Sequence, residues 1–260
     1  MKHLVFAKYQ GAGNDFIVID DRKLRFPVTE AEYIAHLCHR RLGIGADGVI
    51  LLQPSKDADF RMRIFNADGK EAAQCGNGLR CLVDYIRNTL EGASPLSIET
   101  QDRITSCSWK DDIITVDLGS YTWMHQDIVR PPFSMDLIHT GVPHAVVFVE
   151  SINRPDFKEV ASSLRAPSEF APEGANVNFV ELRKDVLWTR VYERGVEDET
   201  LACGTGAAAV AIAAKKKYHL KNPVCVMPLS EEALWVEINP SSLRLSGRAT
   251  CVFQGVVLHW

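Results

Sequence analysis

Two short segments of this chain combine a cysteine with glycines in the same way. Residues 75–78 read Cys-Gly-Asn-Gly and residues 203–206 read Cys-Gly-Thr-Gly, and a stretch of strong helical character follows each. Backbone N–H groups at the start of a helix bind anions, and the positive end of the helix dipole lowers the pKa of a nearby thiol. The pattern therefore predicts two reactive thiols, Cys75 and Cys203, each beside a place for an anionic group.

A pair of such thiols suits proton transfer at a carbon centre. Inverting a stereocentre by proton exchange needs a base on one face and an acid on the other, and a thiolate and a thiol meet that need. An unperturbed thiol has a pKa of ~8.5 and is little ionised at neutral pH, so the helix N-terminus must assist. A cysteine without this context is most simply a packing residue. We interpret five others in that way: Cys38, Cys81, Cys107, Cys225 and Cys251.

The two cysteines are 128 residues apart, and other segments recur at nearly the same spacing. The pairs are Gly13–Val18 with Gly141–Val146, Pro27–Leu37 with Pro155–Leu164, Gly45–Asp47 with Gly174–Asn176, and Arg63–Asn66 with Arg190–Glu193. Matches that keep the same order indicate duplication of a unit of ordinary domain length. We therefore predict two similar halves, residues 1–119 and 120–248.

Hydrophobic spacing predicts which elements position the cysteines. Apolar residues at Leu79, Leu82, Val83, Ile86 and Leu90 follow helical spacing after Cys75. The Ala-rich segment 205–214 predicts a tightly surrounded helix after Cys203. A further helix is expected to start at a capping box, Thr29 with Glu32, and to end at Gly43. Short strands are predicted at 4–9, 16–20, 49–52, 60–65, 96–99, 104–109 and 113–118, and at 145–149, 179–182, 187–192, 224–227, 234–238, 243–246 and 251–258. Residues 119–140, with Pro131-Pro132, are expected to form an irregular linker.

Composition restricts the class of protein. The apolar fraction of 46% and the charged fraction of 24% are typical of a globular chain, and the net charge of −4 favours neither nucleic acid nor an anionic membrane as a partner. The N-terminal segment becomes charged too early for a signal peptide, and the longest apolar run, Ala207–Ala214, is far shorter than the ~20 residues of a membrane span. Seven cysteines without a Cys-x-x-Cys pair argue against a disulfide framework and a zinc site. We expect a cytoplasmic enzyme with reduced thiols.

The motifs together resemble those of the diaminopimelate epimerase family. The matching segments are Gly13–Phe16, Gly43–Asp47, Phe65–Gly69 and Cys75–Cys81 in the first half, and Pro143–Val146, Glu173–Phe179, Tyr192–Gly195 and Thr200–Gly206 in the second. They run in order over nearly the whole chain, which makes the resemblance far more specific than one short motif.

This resemblance implies a fold and an activity. The implied fold is of the α/β (α+β) class, with two pseudo-symmetric domains, each a curled, mostly antiparallel sheet around a central helix, and an active site in the cleft between them. Residues from about 249 to 260 are expected to return to the first domain. The implied reaction is a cofactor-independent 1,1-proton transfer between LL- and meso-diaminopimelate, for lysine and peptidoglycan synthesis. No metal or cofactor is expected. The oligomeric state stays open, with a homodimer as one option.

The resemblance also implies roles for individual residues. Cys75 and Cys203 are the expected acid–base pair, and the N–H groups of Gly76, Asn77, Gly204 and Thr205 are expected to hold the substrate α-carboxylate. Arg194 is expected to bind a carboxylate and Glu193 the α-ammonium. His144 is expected to orient Cys75 or to shape the site. Asn14, Asn66 and Asn176 are expected to be polar ligands of the substrate.

Two positions differ from the usual sequence motifs of the family. Gly48 stands where a glutamine is expected after Ala46-Asp47, and Val142 stands where an asparagine is expected between Gly141 and Pro143. A site that recognises substrate through hydrogen bonds becomes less selective when those bonds are removed. We therefore hypothesise relaxed selectivity, with some racemisation of shorter acidic amino acids.

Three other functions are compatible with parts of the pattern. A cofactor-independent racemase of another amino acid, such as glutamate or aspartate, would share the two-domain plan and the paired thiols. A thiol-based redox or ligand-binding protein would keep the fold without needing both cysteines for catalysis. A pyridoxal-phosphate racemase is disfavoured, because no lysine has a convincing Schiff-base context and the paired thiols would have no purpose.

Overall fold

A computed structural model describes residues 3–73, 75–90, 92–165 and 174–258. Gln74, directly before Cys75, and Glu173, the first residue of one matched segment, lie outside the described residues. The chain forms two compact units. Unit 1 comprises Met1–Val116 and Gly247–Trp260, and unit 2 comprises Asp117–Ser246. Within the described ranges, no helix has the length and apolar character needed to cross a membrane.

Eighteen strands and four helices make up the described part of the chain. The strands are β1 (Leu4–Gly11), β2 (Asn14–Asp20), β3 (Gly48–Gln53), β4 (Phe60–Asn66), β5 (Glu71–Ala72), β6 (Leu96–Glu99), β7 (Ile104–Lys110), β8 (Ile113–Gly119), β9 (Thr122–Arg130), β10 (Phe133–His139), β11 (Pro143–Phe148), β12 (Asn176–Arg183), β13 (Val186–Glu193), β14 (Asp198–Thr200), β15 (Val224–Met227), β16 (Leu234–Ile238), β17 (Leu243–Gly247) and β18 (Thr250–Val257). The helices are α1 (Ala31–Cys38), α2 (Gly76–Leu90), α3 (Phe157–Leu164) and α4 (Gly204–Tyr218).

The strands of unit 1 form a mostly antiparallel sheet. Its order is β18, β1, β2, β3, β4, β6, β7, β8, and the short β5 also pairs with β4. Only two of these pairs, β2 with β3 and β4 with β6, are parallel. Helix α2 packs against β1, β2, β3, β4 and β18, so the sheet curls around it. On the other face of the sheet, Ile34 and Leu37 of α1 join a second apolar cluster with Ile17, Val49 and Leu51.

Unit 2 repeats this arrangement strand by strand. Its order is β9, β10, β11, β12, β13, β15, β16, β17, with β14 also on β13, and its parallel pairs are β11 with β12 and β13 with β15. Helix α4 packs against β10–β13, β15 and β16, and α3 occupies the place that α1 has in unit 1. Helices α2 and α4 begin 128 residues apart, as do β6 and β15. The predicted duplication and the predicted fold class are therefore confirmed.

The two central helices are buried in different ways. Helix α2 buries Leu79, Leu82, Val83 and Ile86, the face that the apolar spacing predicts. Helix α4 buries Gly204 and every residue from Gly206 to Ala214. Small side chains let strands approach α4 from all sides, so the prediction of a tightly surrounded helix is confirmed.

The predicted linker at residues 119–140 is wrong. The segment contains β9 and β10, and Pro131-Pro132 occupies only the turn between them. Two features explain why the sequence pattern did not predict these strands. Most residues of β9 are exposed, so it lacks a clear apolar alternation, and two adjacent prolines are typical of irregular structure. Strand β10 corresponds in unit 2 to β1 in unit 1.

The expected capping box and the expected end of the first helix are also wrong. Helix α1 begins at Ala31 after Glu30, and no side chain caps it. It ends at Cys38, because the following segment turns back over its C-terminal carbonyls. The N–H groups of Ile44 and Gly45 both donate to the carbonyl of Leu37, at 2.9 and 3.0 Å. Gly43 permits this approach, since a Cβ there would lie 1.9 Å from the carbonyl oxygen of His36.

The cysteines expected to be packing residues fall into two groups. Cys38, Cys81 and Cys107 are buried, as predicted. Cys225 is half-buried, and Cys251 is exposed on β18, so a packing role for Cys251 is wrong. The reason is that β18 is an edge strand whose residues are mostly exposed in spite of their apolar character.

Candidate active site

Cys75 lies immediately before α2 and forms part of its first turn. Its carbonyl accepts the N–H of Leu79 at 2.8 Å, and its Sγ accepts the N–H of Gly78 at 3.4 Å. The thiol donates to Oδ1 of Asn14 at 3.6 Å, and the side-chain amide of Asn77 donates to the same oxygen at 3.3 Å. Cys75 is therefore a half-buried thiol at a helix N-terminus. Of the predicted site residues, Asn14 contacts its sulfur and Asn77 contacts Asn14.

A charged network fixes the direction of the Asn14 side chain. Its Nδ2 donates to Oδ2 of Asp47 at 2.7 Å. A carboxylate only accepts hydrogen bonds, so the amide nitrogen must face Asp47 and the amide oxygen must face Cys75. Arg40 holds Asp47 from the other side, with Nη2 at 2.7 Å from Oδ1. The sequence analysis did not identify Arg40 or the side chain of Asp47 as parts of the site.

Asp15 ties this network to the core of unit 1. It accepts two hydrogen bonds from Arg40, at 2.7 and 3.0 Å, and Lys8 lies 2.6 Å from its Oδ2. Burial alone would raise the pKa of Asp15, but hydrogen bonds from Arg40 and Lys8 outweigh it and lower the pKa to about 2. Asp15 is therefore ionised at neutral pH, and the start of β2, which carries Asn14, is held by ionic hydrogen bonds.

Cys203 occupies the equivalent position at the start of α4. Its carbonyl accepts the N–H of Ala207 at 2.9 Å, and its Sγ lies 3.4 Å from the hydroxyl of Thr205. That hydroxyl lies 3.0 Å from Nε2 of His144, and the carbonyl of Thr205 accepts the hydroxyl of Thr140 at 2.9 Å. His144 was expected to orient Cys75 or shape the site, and its hydrogen bonds within unit 2 lead to Cys203 through Thr205.

His144 is fully buried, and its environment keeps it neutral. Burial lowers the pKa of its imidazole to about 3, with smaller contributions from the nearby charges of His139 and Arg194. Its other ring nitrogen, Nδ1, lies 3.2 Å from Nδ2 of Asn178, which is also buried. Sequence reasoning missed Asn178, although its place two residues after Asn176 on a strand directs it to the same face of the sheet.

Asn176, Glu193 and Arg194 meet at one turn of unit 2. Oδ1 of Asn176 accepts the backbone N–H of Arg194 at 2.7 Å, so Asn176 holds the turn after β13 in place. Glu193 accepts a short hydrogen bond from the hydroxyl of Thr200. From this turn the chain continues through β14 to Cys203, so Glu193 and Arg194 lie at the start of the segment that leads to the cysteine.

Asn66, Gly48 and Val142 lie at the ends of strands. Asn66 is exposed at the end of β4, and its backbone N–H donates to the carbonyl of Lys70. Gly48 faces Asn66 across the pair β3–β4, and a Cβ at Gly48 would lie 2.4 Å from the carbonyl oxygen of Phe65. A side chain at residue 48 would therefore require β3 and β4 to shift. Val142 is half-buried, and its carbonyl accepts the N–H of Thr140 at 3.1 Å.

The arrangement gives each unit one thiol at the N-terminus of its central helix. The first N–H groups of a helix lack partners within the helix, and the N-terminus carries a partial positive charge. Gly76, Asn77 and Gly204 supply such groups, and all three are buried. Each thiol can therefore exchange a proton close to groups that bind a carboxylate.

The buried neutral His144 predicts a defined pH dependence of stability. Because its pKa is lower in the folded state than the unfolded value of ~6.5, the unfolded chain binds a proton first as the pH falls. Stability from this group is complete above about pH 6.5 and is lost by about 1.4 kcal/mol per pH unit toward pH 3. We expect His144→Gln to flatten the free energy of unfolding between pH 7 and 5, measured by urea denaturation. His125→Gln, at an exposed position, is the matched control, and curves that stay parallel for His144→Gln would contradict the prediction.

The sequence matches one known family over most of its length. The sequence model of the diaminopimelate epimerase family matches residues 6–124 and 137–245. The chain is 36% identical to the diaminopimelate epimerase of Archaeoglobus fulgidus, over 98% of this chain and 96% of the relative. It is 39% identical to that of Methanothrix thermoacetophila, over 99% and 97%.

Solved structures share the fold at low identity. A phenazine biosynthesis protein from Bacillus anthracis superposes with a TM-score of 0.77 at 17% identity, covering 99% of this chain and 100% of that one. A hydroxyproline epimerase from Agrobacterium vitis superposes with a TM-score of 0.73 at 16% identity, covering 98% and 92%. The family match and the full-length relatives lead to one conclusion: this chain belongs to the diaminopimelate epimerase family, and it is an isomerase.

Proposed function

We propose that the chain interconverts LL- and meso-diaminopimelate by a cofactor-independent 1,1-proton transfer in which Cys75 and Cys203 are the acid–base pair. One observation carries the proposal. In a member of this family, each of two repeated units has a half-buried cysteine at the start of its buried central helix, in equivalent positions. We assign the reaction to lysine and peptidoglycan biosynthesis in the cytoplasm.

In each turnover one sulfur atom accepts a proton from the substrate and the other supplies one. One cysteine, as thiolate, removes the α-proton, and the electron pair of the broken C–H bond stays on the carbon. The other cysteine, as thiol, delivers its proton to the opposite face, so the configuration inverts and the two protonation states exchange. The reverse reaction uses the same groups in exchanged roles.

The substrate α-carboxylate binds the N–H groups of Gly76, Asn77, Gly204 and Thr205 in this proposal. Negative charge grows on the carboxylate as the α-carbon loses its proton, and N–H groups already aimed at it stabilise that charge without reorganising. The position of these residues in the first turn of α2 and of α4 supports the assignment.

The remaining polar residues bind the ends of the substrate. Arg194 binds a carboxylate, and Glu193 binds the α-ammonium. Asn14, Asn66 and Asn176 are further ligands. His144 supports the thiol at Cys203 through Thr205. The contacts of Asn14 and Asn176 support their assignment, because both amides are held in one orientation by neighbouring groups.

Serine substitution of each cysteine tests the acid–base pair. A hydroxyl is far less acidic than a thiol, so Cys75→Ser and Cys203→Ser should each lower the initial rate of LL-to-meso conversion by at least about a hundredfold. The matched controls are Cys251→Ser, at an exposed position, and Cys225→Ser, at a half-buried one, which should keep the wild-type rate. Wild-type rates in both catalytic-site variants would favour the alternative of a thiol-based redox or binding protein.

The selectivity hypothesis remains a prediction with its own assay. With glycine at residue 48 and valine at residue 142, the chain lacks two polar side chains that the usual motifs of the family contain. Strands β3 and β4 leave no room for a side chain at residue 48. We expect the purified protein to racemise L-glutamate or L-aspartate slowly beside its main reaction, measured by chiral chromatography. Complete inactivity on both would contradict relaxed selectivity. Turnover of either amino acid without turnover of diaminopimelate would favour the alternative of a different racemase.

A further inference from the structure

The two units differ in the groups that lie beside their thiols. The strand register places His144 opposite Asn176 in the pair β11–β12, and Phe16 opposite Gly48 in the pair β2–β3. In each pair the two residues are 32 positions apart, and the two pairs are 128 positions apart, so His144 of unit 2 corresponds to Phe16 of unit 1 and Asn178 corresponds to Ile50. The strand register thus makes Asn176 equivalent to Gly48, and not to Asp47 as the sequence spacing suggested. Unit 1 has apolar side chains at both positions, whereas unit 2 has a buried polar pair. Burying polar groups is costly unless they are hydrogen-bonded, so the polar pair needs a structural or catalytic reason.

The surroundings of Asn178 fix the orientation of its amide. Nδ2 lies 3.2 Å from the carbonyl oxygen of Ala145 and 3.2 Å from Nδ1 of His144. A backbone carbonyl only accepts hydrogen bonds, so the NH2 group of Asn178 must face Ala145. The same NH2 group then faces His144, and Nδ1 of the imidazole must be the acceptor.

This orientation sets the tautomer of His144 and the direction of the bonds beyond it. A neutral imidazole that accepts at Nδ1 carries its hydrogen on Nε2. Nε2–H then donates to the hydroxyl oxygen of Thr205 at 3.0 Å. The hydroxyl hydrogen of Thr205 is left to donate, and Sγ of Cys203 lies 3.4 Å from the hydroxyl oxygen. The deep burial that lowers the pKa of His144 is consistent with a neutral ring at working pH.

Gly206 provides the space that Asn178 needs. A Cβ at residue 206 would lie 2.5 Å from Oδ1 of Asn178 and 3.3 Å from Cε1 of His144. At the equivalent Gly78 of unit 1, a Cβ would lie 3.1 Å from Cδ1 of both Ile50 and Ile64, so apolar side-chain ends take the place of the amide. The second glycine after Cys203 therefore accommodates the amide of Asn178.

We propose that Asn178 is a positioning residue that fixes the tautomer of His144, so that the hydroxyl of Thr205 donates a hydrogen bond to the thiolate of Cys203. The proposal deepens the proposed function, because it assigns the origin of thiolate stabilisation at one of the two catalytic sulfurs. Asn178 does not touch the substrate in this account. It acts through His144 and Thr205.

The first test is the tautomer itself, in the wild-type protein. Long-range proton–nitrogen correlation spectra of the protein labelled with ¹⁵N-histidine distinguish a protonated ring nitrogen from an unprotonated one. We expect His144 to carry its hydrogen on Nε2 throughout the pH range in which the protein is folded. A hydrogen on Nδ1, or a charged ring at neutral pH, would overturn the proposal.

The second test measures the thiolate of Cys203 directly. Iodoacetamide alkylation of the Cys203 peptide, followed by mass spectrometry against pH, reports the midpoint of thiol ionisation. Loss of one hydrogen bond to a charged group should raise that midpoint by about one pH unit, a loss of about tenfold in thiolate at neutral pH. We expect this shift in Asn178→Leu and in Thr205→Val. The double variant should show no further shift, because both changes break the same chain.

Control variants separate this effect from general disturbance of the fold. Thr205→Ser keeps the hydroxyl and should keep the wild-type midpoint. Ile50→Leu changes the position in unit 1 that corresponds to Asn178 and should leave the midpoint of Cys203 unchanged. An unshifted midpoint in Asn178→Leu or in Thr205→Val, or additive shifts in the double variant, would overturn the proposal. Neither test uses substrate. Failure of the proposed function, seen as no epimerase activity in the wild type, would therefore be distinguishable from failure of this proposal.

Discussion

Burial of a helix N-terminus beside a thiol is the constraint on which each unit depends. A helix surrounded by strands can begin deep in the structure only if its first residues are small and its first N–H groups have an acceptor. Both central helices meet the first condition with a Gly-x-Gly sequence. Residues 76–80 of α2 are buried, as are Gly204 and Gly206 of α4. In the proposed function an anionic ligand meets the second condition, so the same backbone that permits burial would also form the binding site.

The duplicated units preserve this backbone while their side chains have diverged. At Cys75 the neighbouring side chain presents the amide oxygen of Asn14, an acceptor held in place by Asp47, while the sulfur also accepts the backbone N–H of Gly78. At Cys203 the neighbouring group is the hydroxyl of Thr205, connected to a buried imidazole. An acceptor favours a protonated sulfur, and a donor favours an ionised one. Duplication of the unit therefore accounts for the two thiols, and divergence of the surrounding side chains gives them different hydrogen-bond environments.

Much of the fold could be predicted from the sequence, because local patterns determine it. The strands Leu96–Glu99, Val224–Met227 and Leu234–Ile238 have the predicted bounds, and both central helices begin within a few residues of their cysteines. Strands β9 and β10 were missed because exposure removes the alternation on which such predictions depend. The capping box at Thr29 was wrong because a backbone turn from Pro27 to Glu30, and not a side chain, precedes α1.

The sequence predicts the motif residues of the candidate site but not the groups that orient them. Asn14, Asn77, Thr205 and His144 stand in recognisable motifs. Asp47, Arg40 and Asn178 act through contacts between residues more than five positions apart; His144 and Asn178, for example, are 34 positions apart. Sequence spacing gives no measure of such contacts unless the strand register is known.

The central claim is that two sulfur atoms act on opposite faces of one carbon. Initial-rate conversion of LL-diaminopimelate in deuterium oxide tests it most directly, by mass spectrometry of both isomers at low conversion. With two monoprotic thiols, the meso product should carry solvent deuterium at the inverted carbon from the first turnovers, while the remaining LL substrate stays unlabelled. Substrate-derived hydrogen retained in the product, or equal labelling of both isomers from the start, would contradict the account.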